Sequence, residues 1–196
     1  MATDNEPHGV DRLIGDLRRW AADARASDAA RARSRQRWLR RQAEEESTLA
    51  GIALNLAERG TAVVLETTSG HTHRGRLLGL ARDVWLLRSG GSSVTFVAAD
   101  AIAAFQAQPR GDGTPISEAT GARPVPLAAS LAEMLGDLAA ERPRLRIVVR
   151  GRSDALTGQL RAVGMDVATV RLAGDPPTTV YVRLDSVSEV SVLGSG

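Results

Sequence analysis

Apolar residues along this chain change their period twice, and the changes mark out its elements. From Val10, the positions Val10, Leu13, Ile14, Leu17 and Ala21 recur at helical spacing. No glycine or proline falls between Asp16 and Ala50, and strong helix formers fill that interval. An unbroken helix of about 40 to 50 residues is one reading; a hairpin capped at Ser27-Asp28 is the other. Leu49, Ile52, Ala53 and Leu56 renew the stripe, and Arg59-Gly60 supplies a cation and a glycine to end it. The period then drops to two, with Val63 and Leu65 alternating against Val64 and Glu66.

Short strands are predicted over Arg74–Leu80, Asp83–Leu87, Val94–Val97 and Ile102–Phe105, with glycines inside the second strand where a sharp bend is needed. Pro109, Gly111, Gly113, Pro115, Gly121 and Pro124 then interrupt every period, as a linker does. Leu127, Leu131, Met134, Leu135 and Leu138 form a further amphipathic helix stopped by Pro143. Five more strands are expected over Arg146–Arg150, Leu156–Ala162, Asp166–Leu172, Thr179–Leu184 and Val187–Leu193.

The second set repeats the first. Gly75 to Asp83 returns as Gly158 to Asp166, and Val97, Asp100 and Ile102 return as Val182, Asp185 and Val187. The offset grows from 83 to 85 residues where Gly90-Gly91-Ser92 becomes Gly174-Asp175-Pro176-Pro177, a loop in which insertion costs little. The expected organisation is α+β: a tail over 1–8, a charged helical segment over 9–59, a five-stranded small β-barrel over 60–106, a linker over 107–125, a helix over 126–142 and a second barrel over 143–193. Each barrel is preceded by a helix, and exposed strand edges invite the two copies to pack as a pseudo-dimer or to extend into a homo-oligomer.

Composition narrows the chemistry. The 196 residues are 43% hydrophobic but only 3% aromatic, so the cores must be aliphatic. All 25 basic residues are arginine and cysteine is absent, which excludes a Walker lysine, thiol nucleophiles, disulfides and cysteine metal sites. The sequence pI near 10.2 reflects a net charge of +2 with no lysine to titrate, and is not evidence of nucleic-acid binding. No run approaches 18 apolar residues, and a cytoplasmic protein outside the membrane is expected.

The arginines concentrate. Arg25, Arg31, Arg33, Arg35, Arg37, Arg40 and Arg41 stand against Asp28 alone from residue 25 to 43, and Glu44-Glu45-Glu46 follows. Pairs Arg40–Glu44 and Arg41–Glu45 would lie at i,i+4, each worth about 0.3 to 0.5 kcal/mol. These seven arginines are the candidate contacts to an RNA or DNA backbone. Trp38 within them is expected to pack against a barrel or a second helix.

His71 and His73 form the one close histidine pair, read as a solvated hairpin tip, with a metal site needing Glu66 or Asp100 beside them. No Ser sits in a G-x-S-x-G turn. Asp83 and Asp166, and likewise Asp100 and Asp185, recur at equivalent places and are expected to accept turn or backbone N–H groups; one copy of each per barrel does not place two carboxylates together for acid–base work. No catalytic, cofactor or metal residue is assigned, and no small-molecule substrate is inferred.

A helix followed by five bent strands, with Glu66-Thr67-Thr68-Ser69-Gly70-His71-Thr72-His73-Arg74-Gly75-Arg76-Leu77 at the second strand, resembles the first motif of the Sm-like (LSm) fold, or more broadly an SH3-like small barrel. The resemblance covers about 45 residues per copy. It implies the fold but not the RNA site, because Val84-Trp85-Leu86 stands where the family's asparagine falls, and Ala98-Ala99-Asp100 where its cationic loop falls. The whole layout also looks like an actinobacterial family often labelled Fis family transcriptional regulators. That label implies a C-terminal helix-turn-helix, whereas residues 179–193 alternate with strand period. Together the features lead to a non-enzymatic binding or adaptor protein, engaging a protein partner or itself through barrel edges and the basic helix. The alternative is a nucleic-acid-binding regulator acting through residues 25–41, with coiled-coil pairing of that helix a further expectation.

Overall fold

Helix-forming residues without interruption give the first element. In the computed structural model, which describes residues 8–90, 93–108 and 127–193, α1 runs unbroken over His8–Glu45. At 1.5 Å per residue its 38 residues span roughly 57 Å. The helix passes through Ser27 and Asp28 without a break, so the hairpin does not form. The break comes instead at Thr48, which turns extended (φ −107°, ψ 154°) and accepts the Gly51 N–H on its hydroxyl at 3.0 Å. That cap starts α2, Leu49–Glu58. The segment expected over 9–59 is therefore two helices, and they belong to different compact units: residues up to Glu46 form one, and Ser47 onward the other. Gly60, in the left-handed region at φ 59°, follows α2 and donates its N–H to the Ala57 carbonyl.

The strands are β1 (Ala62–Thr67), β2 (Thr72–Leu80), β3 (Val84–Arg88), β4 (Val94–Ala98) and β5 (Ile102–Ala107), with a 3-10 turn over Ala99–Ala101 before the last. After α3 (Leu131–Ala139) come β6 (Arg144–Val149), β7 (Leu156–Val163), β8 (Val167–Leu172), β9 (Thr178–Arg183), a 3-10 turn over Leu184–Ser186, and β10 (Val187–Leu193). Helix α3 starts later than the apolar stripe suggested. Ser130 and Glu133 make a reciprocal capping box, and Leu127 lies ahead of it, bridged to Ala81. Residues 1–7 of the expected tail and 109–125 of the expected linker lie outside the described residues.

The two separate five-stranded barrels are overturned. All ten strands belong to one open antiparallel sheet, in the order β5-β1-β2-β3-β4-β10-β6-β7-β8-β9. The join is β4 to β10, with Phe96 opposite Val190 and Thr95 opposite Ser191. A strand edge carries unpaired N–H and C=O groups, and each half satisfies its own edge on the other half. Strand periodicity is local and says nothing about which edge meets which.

The repeat itself holds residue by residue. Val84↔Ala98 through Arg88↔Val94 in β3–β4 matches Val167↔Arg183 through Arg171↔Thr179 in β8–β9. The bulge between Leu77 and Gly79 recurs between Leu160 and Ala162, and the irregularity at Glu66/Thr67 against β5 recurs at Val187/Glu189 against β6.

Two aliphatic cores follow. One gathers Leu65, Leu80, Trp85 and Val97 under Ala53 and Leu56 of α2, with Phe105 packed edge-on to Trp85 at 5.7 Å. The other gathers Leu145, Leu160, Val170 and Val190 under Leu131 and Leu135 of α3, and it includes Phe96. Because successive side chains of a strand face opposite ways, β4 sends Val97 into the first core and Phe96 into the second. One strand is thus a wall of both.

Two glycines at repeat-equivalent places test this arrangement. A Cβ on Gly75 would lie 2.1 Å from the Arg88 carbonyl oxygen, and one on Gly158 2.5 Å from that of Arg171. Both obstacles are backbone of the paired strand. Gly75→Ala and Gly158→Ala should each destabilise the protein by about 1 to 3 kcal/mol in urea unfolding. Gly136→Ala, within α3 and in open space, should stabilise it by about 0.5 to 1 kcal/mol.

Candidate functional site

The seven arginines expected to meet nucleic acid all lie on α1, and all are exposed. They do not form one surface. Arg33, Arg37 and Arg40, spaced i, i+4, i+7, share one groove, while Arg31 and Arg35 share another with Trp38. Arg31 lies 3.6 Å from Asp28, and Arg25 donates from Nε to the Ala21 carbonyl. The expected Arg40–Glu44 and Arg41–Glu45 pairs do not form; Glu46 instead accepts from Gln42 at 3.1 Å. Arg33, Arg37 and Arg40 carry no ion pair among the described residues.

Within its own unit, no described residue packs over Trp38. It is 62% exposed, and Trp20 is 72% exposed. Leu13, Leu17 and Leu39 are also largely exposed, so α1 carries an apolar stripe that no described residue of its own unit covers. A stripe this narrow cannot bury itself on a single straight helix.

The histidines are not a solvated tip. The β1–β2 turn carries them to Glu189 of β10, more than a hundred residues on. His73 Nε2 donates to Glu189 Oε2 at 2.7 Å, His71 Nδ1 to Oε1 at 3.1 Å, and the Thr67 hydroxyl to Oε1 at 2.7 Å. Ser69 and Ser188 join hydroxyls beside them at 2.9 Å. A carboxylate only accepts, so both ring nitrogens carry protons. Glu189 is 1% exposed. Burial pushes its carboxyl up, but the hydrogen bonds from His73 and Thr67, the charge of His73 and the bond from His71 outweigh it and bring the group from 4.5 down to about 2. Neither Glu66 nor Asp100 joins the histidines. Among the described residues, no group of three His, Asp or Glu side chains is placed to hold a metal.

The repeat aspartates come together after all. Asp83, Asp100, Asp166 and Asp185 line a single cleft of about 590 Å³ with Arg82 and Arg150, because the join of β4 to β10 brings the matching turns of both halves side by side. Three of the four carboxylates are already engaged: Asp83 accepts the Leu131 N–H at 2.8 Å, Asp100 pairs with Arg150, and Asp185 pairs with Arg183 at 2.5 Å. The backbone carbonyls of Asp83 and Asp166 hold the two 3-10 turns, accepting from Ala99 and Leu184. The cleft therefore works as a fastening between turns, and its acids brace α3 and the junction.

Sequence reasoning missed Glu189. A lone glutamate between Ser188 and Val190 on an apolar strand was its only signal. No family model matches the chain, and no curated protein matches it.

The Glu189 carboxyl titrates lower in the folded chain than its ordinary 4.5, so its contribution is complete above pH 4.5 and is lost as pH falls toward 2. The fall is worth on the order of 3 kcal/mol. Thermal melts between pH 6 and about 2.5 should show wild type losing more stability than Glu189→Gln over this window, the difference closing at the acid end. At pH 6, Glu189→Ala should be destabilised by about 2 to 4 kcal/mol, because it leaves the buried Thr67 hydroxyl and the half-buried histidines without their acceptor.

Proposed function

We propose that this protein is a non-enzymatic binding or adaptor protein in which α1 engages a macromolecular partner and the ten-stranded sheet is its folded base. One observation carries the reading: α1 holds Leu13, Leu17, Trp20, Trp38 and Leu39 out in solvent along some 40 Å of helix. Covering a Leu or Trp side chain is worth about 1.5 to 3 kcal/mol, so a partner has enough apolar surface to gain from. Among the described residues, no helix is long and apolar enough to cross a membrane. A cytoplasmic setting belongs to the same proposal, since a chain without cysteine suits a reducing compartment.

A second reading has its own observation. Among the described residues, Arg33, Arg37 and Arg40 pair with no carboxylate, and they have the spacing to follow a phosphate backbone. It makes the protein a nucleic-acid-binding regulator.

Affinity purification of the full chain from its native cell, with and without nuclease, separates the two. The adaptor reading expects nuclease-resistant protein partners that are lost with Leu17→Glu plus Trp20→Glu and kept when Arg33, Arg37 and Arg40 become Gln. The nucleic-acid reading expects the reverse. It also expects purified protein to bind a DNA or RNA oligonucleotide with affinity that falls steeply with salt, a slope that the glutamine variant flattens by about one for each phosphate it no longer neutralises.

A further inference from the structure

Strands β6 to β9 contain no aspartate or glutamate, yet they turn Arg144, Arg146, Arg161 and Arg171 to solvent. Arg144 lies opposite Gln159 across β6 and β7, and Gln159 lies opposite Arg171 across β7 and β8, so these three side chains share one face of the sheet. Neither Arg144 nor Arg171 pairs with a carboxylate among the described residues. With Gln159 they line a pocket of about 410 Å³, the size of a small-molecule site, whose wall includes Leu172, Gly174 and Pro177.

The repeat shows how this row was made. In the first copy the same row is Ala62, Arg76 and Arg88, and its two cations stand directly opposite each other, where like charges repel. In the second copy the cations stand two strands apart, roughly 10 Å at the backbone, with a neutral amide between them. The lengthened loop belongs to that copy too. Gly174 and Pro177 bound the four residues at which the repeat offset grows from 83 to 85, and both line the pocket.

The orientation of Gln159 is set by its neighbour. Arg161 donates from Nη1 to the Gln159 Oε1 at 3.0 Å. An arginine only donates, so the bond occupies the oxygen end of the amide and leaves its NH2 group free. The polar side chains of the pocket therefore offer donors from three strands: two guanidinium groups and one amide. Asp175, in the same loop, is not among the lining residues.

The geometry points to a binding site for a small phosphate ester, with Arg144 and Arg171 donating to the phosphate from two sides and the Gln159 amide donating between them. A planar carboxylate suits one guanidinium fork, whereas a tetrahedral phosphate presents oxygens in several directions and accepts from all three groups at once. Leu172 and Pro177 give the organic part of the ester an apolar surface. The site lies wholly in the unit from Ser47 onward and uses no residue of α1, so it stands or falls apart from both readings above.

Inorganic phosphate is the first probe. Titrated into the full chain at low salt, it should shift the Gln159 side-chain amide and the Nε resonances of Arg144 and Arg171 along a saturating curve, and acetate should need about tenfold more to match it. Arg144→Gln with Arg171→Gln, at exposed positions, should abolish saturation and leave the melting temperature unchanged. Arg146→Gln, on the same face but outside the pocket, should weaken binding less than about threefold. A nucleoside 5′-monophosphate should bind at least as tightly as inorganic phosphate, and an unphosphorylated single-stranded oligonucleotide should leave these resonances in place. The proposal is overturned if phosphate does not saturate, if acetate matches it, if the double variant still binds, or if the oligonucleotide shifts these resonances at lower concentration than the monophosphate, which would give this face to a polynucleotide.

Discussion

The join between β4 and β10 is what the rest of the folded unit depends on. Two five-strand sets each end in an edge whose backbone groups need partners, and only three residue pairs tie the edges together. The side chains reinforce the tie. Val97 and Phe96 leave the same strand for two different cores, so loosening β4 opens both. Beside it, Glu189 is taken out of water and held by Thr67, His71 and His73 from the other half. A buried carboxylate is unfavourable unless its lone pairs are filled, and here both oxygens accept hydrogen bonds. The interaction therefore does little for either half alone and much for the one arrangement in which the halves meet.

Duplication explains the frame, and divergence marks the junction at its centre. The bulges, the close approach at Gly75 and Gly158, and the 3-10 turns after β4 and β9 recur at matched positions. The polar clamp does not recur. Placing the hydrogen-bonded cluster at the central junction specifies the pairing of β4 with β10.

Helix α1 rests on a different principle. No described residue of its own unit covers its large apolar side chains, and it is maintained by residue propensity and short-range pairs such as Asp28 with Arg31. Each such pair is weak when exposed, so the helix is a surface in search of burial, whereas the sheet buries its own side chains.

The sequence by itself determined the elements and their kinship. Periods of 3.6 and 2 placed the strands to within a residue or two, and the paired landmarks Gly75–Asp83 and Gly158–Asp166 revealed a repeat that the registers match. These are legible because backbone sterics and side-chain alternation act over a few residues. Tertiary structure alone decided that ten strands make one sheet, that Glu189 lies against His71 and His73, and that four repeat aspartates share a cleft. Those outcomes turn on which edge finds which, across separations that reach beyond one hundred residues, and edge pairing uses backbone groups that every residue but proline carries alike. The identity of side chains marks a strand; only the meeting of two strands gives a lone glutamate its donors.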